Sequence, residues 1–232
     1  MPNQEHEHAK IIHVTFQGRW RRLVVTKQRL AVFVRTYSKY ILGEAMAKLF
    51  GNLHLVLVVG LLLTIAVIIG VHGDMATSNA IFRWLHLFFG VLWIGLLYYL
   101  NFVQVPTMPK IPAELKPAIG KHIAPSVLFF FRWGAAFTVL TGLIVAHLTG
   151  YLHEALMLKE PFMLIGLGMW MALIMAFNVW FIIWPCQKKV LGIVEASDEA
   201  KASAATTAMI FSRTNVLLSL PMFYCMINAN HG

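Results

Sequence analysis

The stretch FGNLHLVLVVGLLLTIAVIIGV, Phe50–Val71, contains no Asp, Glu, Lys or Arg. At 1.5 Å rise per residue, about 20 apolar residues of helix cross the roughly 30 Å hydrocarbon core of a bilayer. The apolar residues run continuously rather than at every second position, so the stretch is not a strand of a membrane barrel. Working outward, Ala80–Gln104, Ala124–Thr149, Pro161–Trp184 and Thr206–Ala229 repeat the pattern, each with at most one arginine. The whole chain is 59% hydrophobic and 12% charged, which excludes an ordinary water-soluble domain. The sequence therefore predicts an all-α integral membrane bundle of five transmembrane helices.

The formal charge of +9 invites a nucleic-acid reading, but its placement gives a topology instead. Before the first span come Lys10, Arg19, Arg21, Arg22, Lys27, Arg29, Arg35, Lys39 and Lys48, while 72–79 holds no Lys or Arg. The second connection carries Lys110, Lys116 and Lys121, the third Lys159, and the fourth Lys188, Lys189 and Lys201. Rich and poor loops alternate, so the positive-inside rule predicts a cytoplasmic amino terminus and a periplasmic carboxyl terminus, as in a bacterial inner (cytoplasmic) membrane protein. With topology accounting for the charge, no nucleic-acid partner is expected. Residues 1–49 form a basic arm without a signal peptide's apolar core or cleavage site, suited to an anionic leaflet or another subunit. Residues 50–229 form the five-helix domain. Pro106, Pro109, Pro112 and Pro117 are expected to stop the second helix at the membrane surface. Cys186 and Cys225 fall at opposite faces and are not expected to pair, and no Cys-x-x-Cys-His attaches a c-type haem.

Ionisable groups within lipid cost about 2.5–3.5 kcal/mol on insertion scales and so mark candidate sites. In the predicted topology His72, His86 and His147 form an outer level, and His54 and His122 an inner one. Neutral imidazoles at matched depth on neighbouring helices can ligate haem iron or copper, which the sequence does not separate. The alternative is a capping role at the interface, bonding a carbonyl or water; among these histidines His86, deepest in an aromatic span, best fits a ligand. Arg83 lies near the outer level, and Arg132 and Arg213 lie at matched depth in the inner half. Every Asp and Glu lies outside the five apolar cores, so these cations are expected to snorkel, meet carbonyls or bind an anion. Asn101, Gln104, Asn178 and Asn215 share the inner half. The expectation is a substrate or anion site built from Arg132, Arg213, Asn178 and Asn215, with interhelical amide contacts as the alternative. The lack of membrane carboxylates argues against an Asp/Glu proton relay and against a carboxylate-bridged di-iron oxygenase.

The second span, RWLHLFFGVLWIGLLYY from Arg83 to Tyr99, resembles the R-W-x-H…G-x-x-W-I-G pattern of the membrane domain of PuuD-type urate hydroxylases. Its shorter form, histidine followed by Trp-x-Gly and then Tyr, is similar to HemJ-type protoporphyrinogen oxidases and CopD-type copper-resistance proteins. Further likeness to short PuuD-like membrane proteins runs through Phe131-Arg132-Trp133-Gly134, Phe177-Asn178-Val179-Trp180 and Phe211-Ser212-Arg213-Thr214-Asn215. The resemblance implies an electron-transferring module with His86 as a haem ligand. The urate hydroxylases carry further membrane helices and a C-terminal cytochrome c, which this sequence lacks, so the electron outlet is expected to be a separate cytochrome c or other membrane subunits.

The functional expectation is a redox protein binding haem b, or alternatively copper, and oxidising or hydroxylating a small substrate. The rival is a non-catalytic accessory subunit of a larger membrane enzyme, with ordinary capping histidines.

Overall fold

The computed structural model describes residues 43–72 and 78–229. Most of the basic arm, up to residue 42, lies outside the described residues, as do the side chain of His72 and the terminal 230–232. The described residues are helical with no strand among them, and five helices are long and apolar enough to cross a membrane. The chain divides into two compact units, Met1–Asp74 and Met75–Gly232.

In the first unit a helix over 43–50 carries the exposed pair Lys48–Glu44 at 2.8 Å. Asn52 then restarts the chain: its Oδ1 accepts from the backbone N–H of His54 at 3.0 Å and of Leu55 at 3.3 Å. Satisfying those first N–H groups caps helix α1, Leu53–His72. Apart from His54 and Thr64, its described side chains are apolar around the full circumference, the pattern of a helix whose solvent is lipid.

The second unit contains α2 (Ser78–Tyr98), α3 (Ala124–Thr149), α4 (Met163–Phe177) and α5 (Asp198–Asn228). Its core joins Trp93 and Leu97 of α2, Phe131 and Ala135 of α3, Met175 of α4 and Ala208 of α5. Lipid removes the usual hydrophobic drive for helix association, so small residues that admit close packing matter more here. At Gly134 an added Cβ would come within 3.3 Å of the Trp93 backbone, so this glycine sets the approach of α2 and α3. A smaller cluster packs the short helix Leu152–Leu156 against α4 through Ala155, Ile165 and Met169.

Helix ends differ from the expected ones for two reasons, π turns before prolines and a side-chain cap. Pro106 and Pro109 do not stop the second span; helix continues through a π turn, Tyr99–Gln104, and reaches Lys110. The same device precedes Pro125, with a π turn over Ile119–Ile123, and Pro185, with one over Asn178–Ile183. Proline lacks an N–H and crowds the carbonyl four residues back; widening the preceding turn relieves that crowding without ending the helix. The chain leaves helix at Ile111, extended at φ −82°, ψ 131°, as suits a residue preceding Pro112. Helix α5 starts at Asp198, eight residues before the expected span, because Ser197 Oγ caps it by accepting from Ala200 N.

Candidate functional site

One face of α2 places Arg83, His86, Gly90 and Trp93 along a line at i, i+3, i+4 spacing, and this line borders a cavity of about 880 Å³. The remaining walls come from α3 (Thr138, Gly142), α4 (Met169, Ala172) and α5 (Met222, Met226), with Tyr151 beside Arg83 at one end. The size lies within the range of small-molecule and cofactor sites, and the lining is mostly apolar.

His86 supplies the imidazole within these walls. Its Nδ1 lies 2.8 Å from the carbonyl oxygen of Thr138. A carbonyl only accepts, so Nδ1 carries the proton and Nε2 keeps its lone pair. Among the described residues no protein group bonds Nε2. The ring fits because position 142 is glycine: a Cβ there would stand 2.7 Å from Cε1 and 2.9 Å from Nδ1. Thr138 itself is held by its hydroxyl, which donates to the Gly134 carbonyl at 2.6 Å. Fixing one imidazole nitrogen on a carbonyl while leaving the other bare is how a metal-ligating histidine is oriented.

Of the other expected ligands, Arg83 lines the cavity with His86, whereas His122 and His147 do not. His122 and His147 are exposed on the second unit, and His54 is exposed on α1 in the first. Among the described residues no group of three or more His, Cys, Asp or Glu converges to hold a metal ion. The soft donors that share the cavity with His86 are the thioethers of Met169, Met222 and Met226.

The four residues expected to share an anion site are only partly together. Asn178 Nδ2 donates to Asn215 Oδ1 at 2.9 Å, and Asn215 Nδ2 donates to the Met175 carbonyl at 3.0 Å. Both amides are buried and bond each other and backbone, the interhelical contact weighed as the alternative. Arg132 instead lays its guanidinium on the Trp184 ring, 3.4 Å from the centroid, and Arg213 is exposed. Asn101 bonds Ser212 at 2.8 Å, and Gln104 Oε1 is buried without a partner. None of these groups lines the cavity. Cys186 and Cys225 are both free thiols.

Residues 157–232 match the family described as urate oxidase N-terminal, a stretch that covers α4 and α5. Among curated proteins and among solved structures, nothing matches the chain. The matched segment supplies the Met169, Ala172, Met222 and Met226 walls, whereas His86, Thr138 and Gly142 come from the α2–α3 pair outside it. The cavity thus lies where the segment similar to urate oxidases meets the helix that carries the histidine.

Sequence reasoning selected His86 but missed Thr138, Gly142 and Tyr151. A glycine inside a membrane span, as at Gly142, is the signal that was available, since such residues mark close approaches.

Proposed function

We propose that this chain is a membrane redox protein related to urate oxidases, in which His86 holds haem b at the cavity. The observation that carries the reading is the His86–Thr138 contact, which leaves a bare Nε2 on the wall of a large apolar cavity. A copper ion needs several donors around one point, whereas one imidazole beside a volume of about 880 Å³ suits a macrocycle better. Trp93 Nε1, buried without a hydrogen-bond partner on a residue of the same wall, adds a polar group the protein itself does not satisfy. Arg83 at the cavity end supplies a cation for a carboxylate of the cofactor or for an anionic substrate. When bound, haem would supply one-electron chemistry. The chain's own part is to orient the imidazole, exclude water with apolar walls and offer Arg83 to negative charge. The match to the urate oxidase N-terminal family supports a small, oxidisable purine-like substrate, with electrons leaving to a separate cytochrome or membrane subunit. The Lys and Arg alternation supports an inner-membrane orientation with the Arg83 end outside.

The test is a visible spectrum and haem extraction on purified protein. Wild-type protein is expected to show a non-covalent b-type band. His86→Ala is expected to abolish or shift the band while circular dichroism keeps the helices. In sealed right-side-out vesicles an impermeant reductant should reach the band. A folded wild-type preparation with neither haem nor copper would return the chain to the role of an accessory subunit.

A further inference from the structure

Away from the cavity, α3 and the helix Trp184–Val190 bring two cations onto one indole. Arg132 Cζ lies 3.4 Å from the centroid of the Trp184 ring, and Lys188 Nζ lies 5.9 Å from it. The arginine's backbone is fixed by Trp180, whose Nε1 donates to the Arg132 carbonyl at 3.1 Å. Arg132 Nη1 is buried and has no hydrogen-bond partner. The ion pairs among the described residues are Lys48–Glu44 and Lys201–Asp198, so neither Arg132 nor Lys188 faces a carboxylate there.

An indole face attracts a cation, but it provides no acceptor for the guanidinium N–H groups and does not neutralise two positive charges. Like charges sharing one ring repel unless an anion or water lies between them. The planar fork of an arginine next to a lysine matches the oxygens of a phosphate. Both helices are long and apolar enough to cross a membrane, Lys116–Thr149 and Met163–Val190, and Trp184 lies one turn from Lys188 and Lys189 at the end of the second. That is where an interfacial tryptophan and a snorkelling cation meet lipid headgroups. Exposed Phe177 and Phe181, stacked with centroids 4.9 Å apart on the same stretch, offer acyl chains an apolar surface.

We infer that Arg132 and Lys188, arranged on Trp184, hold the phosphate of an anionic lipid. This site does not depend on the cavity or its cofactor. The test reconstitutes the full chain in phosphatidylcholine nanodiscs with phosphatidylglycerol and counts retained lipid by native mass spectrometry after mild extraction. Wild-type protein is expected to retain phosphatidylglycerol in preference to phosphatidylcholine. Arg132→Gln should lower that retention about tenfold, the loss of one charge-assisted contact, and Lys188→Gln by a smaller factor. Lys159→Gln, on another connection, should leave it unchanged. Equal retention by wild-type protein and Arg132→Gln would overturn the site. Inorganic phosphate added to discs of phosphatidylcholine alone tests a soluble ligand. Phosphate binding there that Arg132→Gln removes, without a preference for phosphatidylglycerol, would overturn the lipid as its source. Should Arg132→Gln fail to insert, Arg132→Lys keeps the charge but loses the fork; reduced retention is expected, and retention equal to wild type overturns the site.

Discussion

Two levels of the same helix packing handle polarity in opposite ways. At the level of Asn178 and Asn215, side-chain amides close on each other and on a backbone carbonyl, in a packed region with Met175 and Val179. At the level of His86, one nitrogen is satisfied and the other opens on a cavity of about 880 Å³. The paired amides tie α5 to the turn after α4, whereas the imidazole keeps a bare Nε2 on the cavity wall, as the proposed haem site requires. Polarity inside a membrane protein is therefore not in itself a site; a bare imidazole nitrogen beside a cavity is what distinguishes one level from the other.

The largest effect should come from Gly142→Ala. The new Cβ would stand 2.7 Å from His86 Cε1, so the ring must leave the Thr138 carbonyl or α3 must move. Disturbing the partner that orients a metal-ligating histidine costs about 10–100-fold in metal affinity. The expectation is loss or a shift of the haem band, with helix content kept, read by titrating haem into apo-protein. An unchanged affinity would show that the imidazole's position does not matter, which removes the distinction between the two levels.

A middling effect is expected at the amide level. Interhelical hydrogen bonds in membranes average about 0.6 kcal/mol and reach about 1.7 kcal/mol in double-mutant cycles. Asn178→Ala, Asn215→Ala and the double variant should show coupling of that order in reversible unfolding from mixed micelles. Their haem affinity should match wild-type protein. A drop comparable to that of Gly142→Ala would mean the two levels act as one site.

The sequence makes the five spans legible because length and continuous apolarity are physical requirements of a bilayer, independent of tertiary detail. Span ends are less legible: Pro106 reads as a stop, yet a π turn upstream lets helix pass it. Among the histidines, depth alone leaves several candidates. What separates His86 is a carbonyl 52 residues away and the glycine at 142, contacts between helices that one sequence does not display. Arg213 is a different case, because the signal was present. At 100° per residue, positions 213 and 215 point some 200° apart, so a buried Asn215 turns Arg213 outward. Matched depth was a poor substitute for matched direction.

The smallest effect should appear where the cavity reaches its polar end. Tyr151 lies between the membrane-crossing helices, half-buried, stacked on Phe162 with centroids 5.4 Å apart, and it shares the cavity with Arg83. Burial raises the phenol above its ordinary range, and the Arg83 cation pulls it part of the way back. A group whose proton is held more tightly in the folded state contributes its full stability below the unfolded pKa. That contribution is lost as pH rises through the raised folded value. Wild-type protein is thus expected to be flat through neutrality and to lose stability in the alkaline range, and Tyr151→Phe to lose less over the same interval. Arg83→Gln should steepen the loss, since it removes the opposing cation. Thermal unfolding midpoints across an alkaline pH series check the order: Arg83→Gln steepest, wild type intermediate, Tyr151→Phe shallowest. Identical slopes in all three would mean that the cavity end is as well hydrated as bulk solvent, and the contrast with the buried amide level would then be confined to His86 and its immediate neighbours.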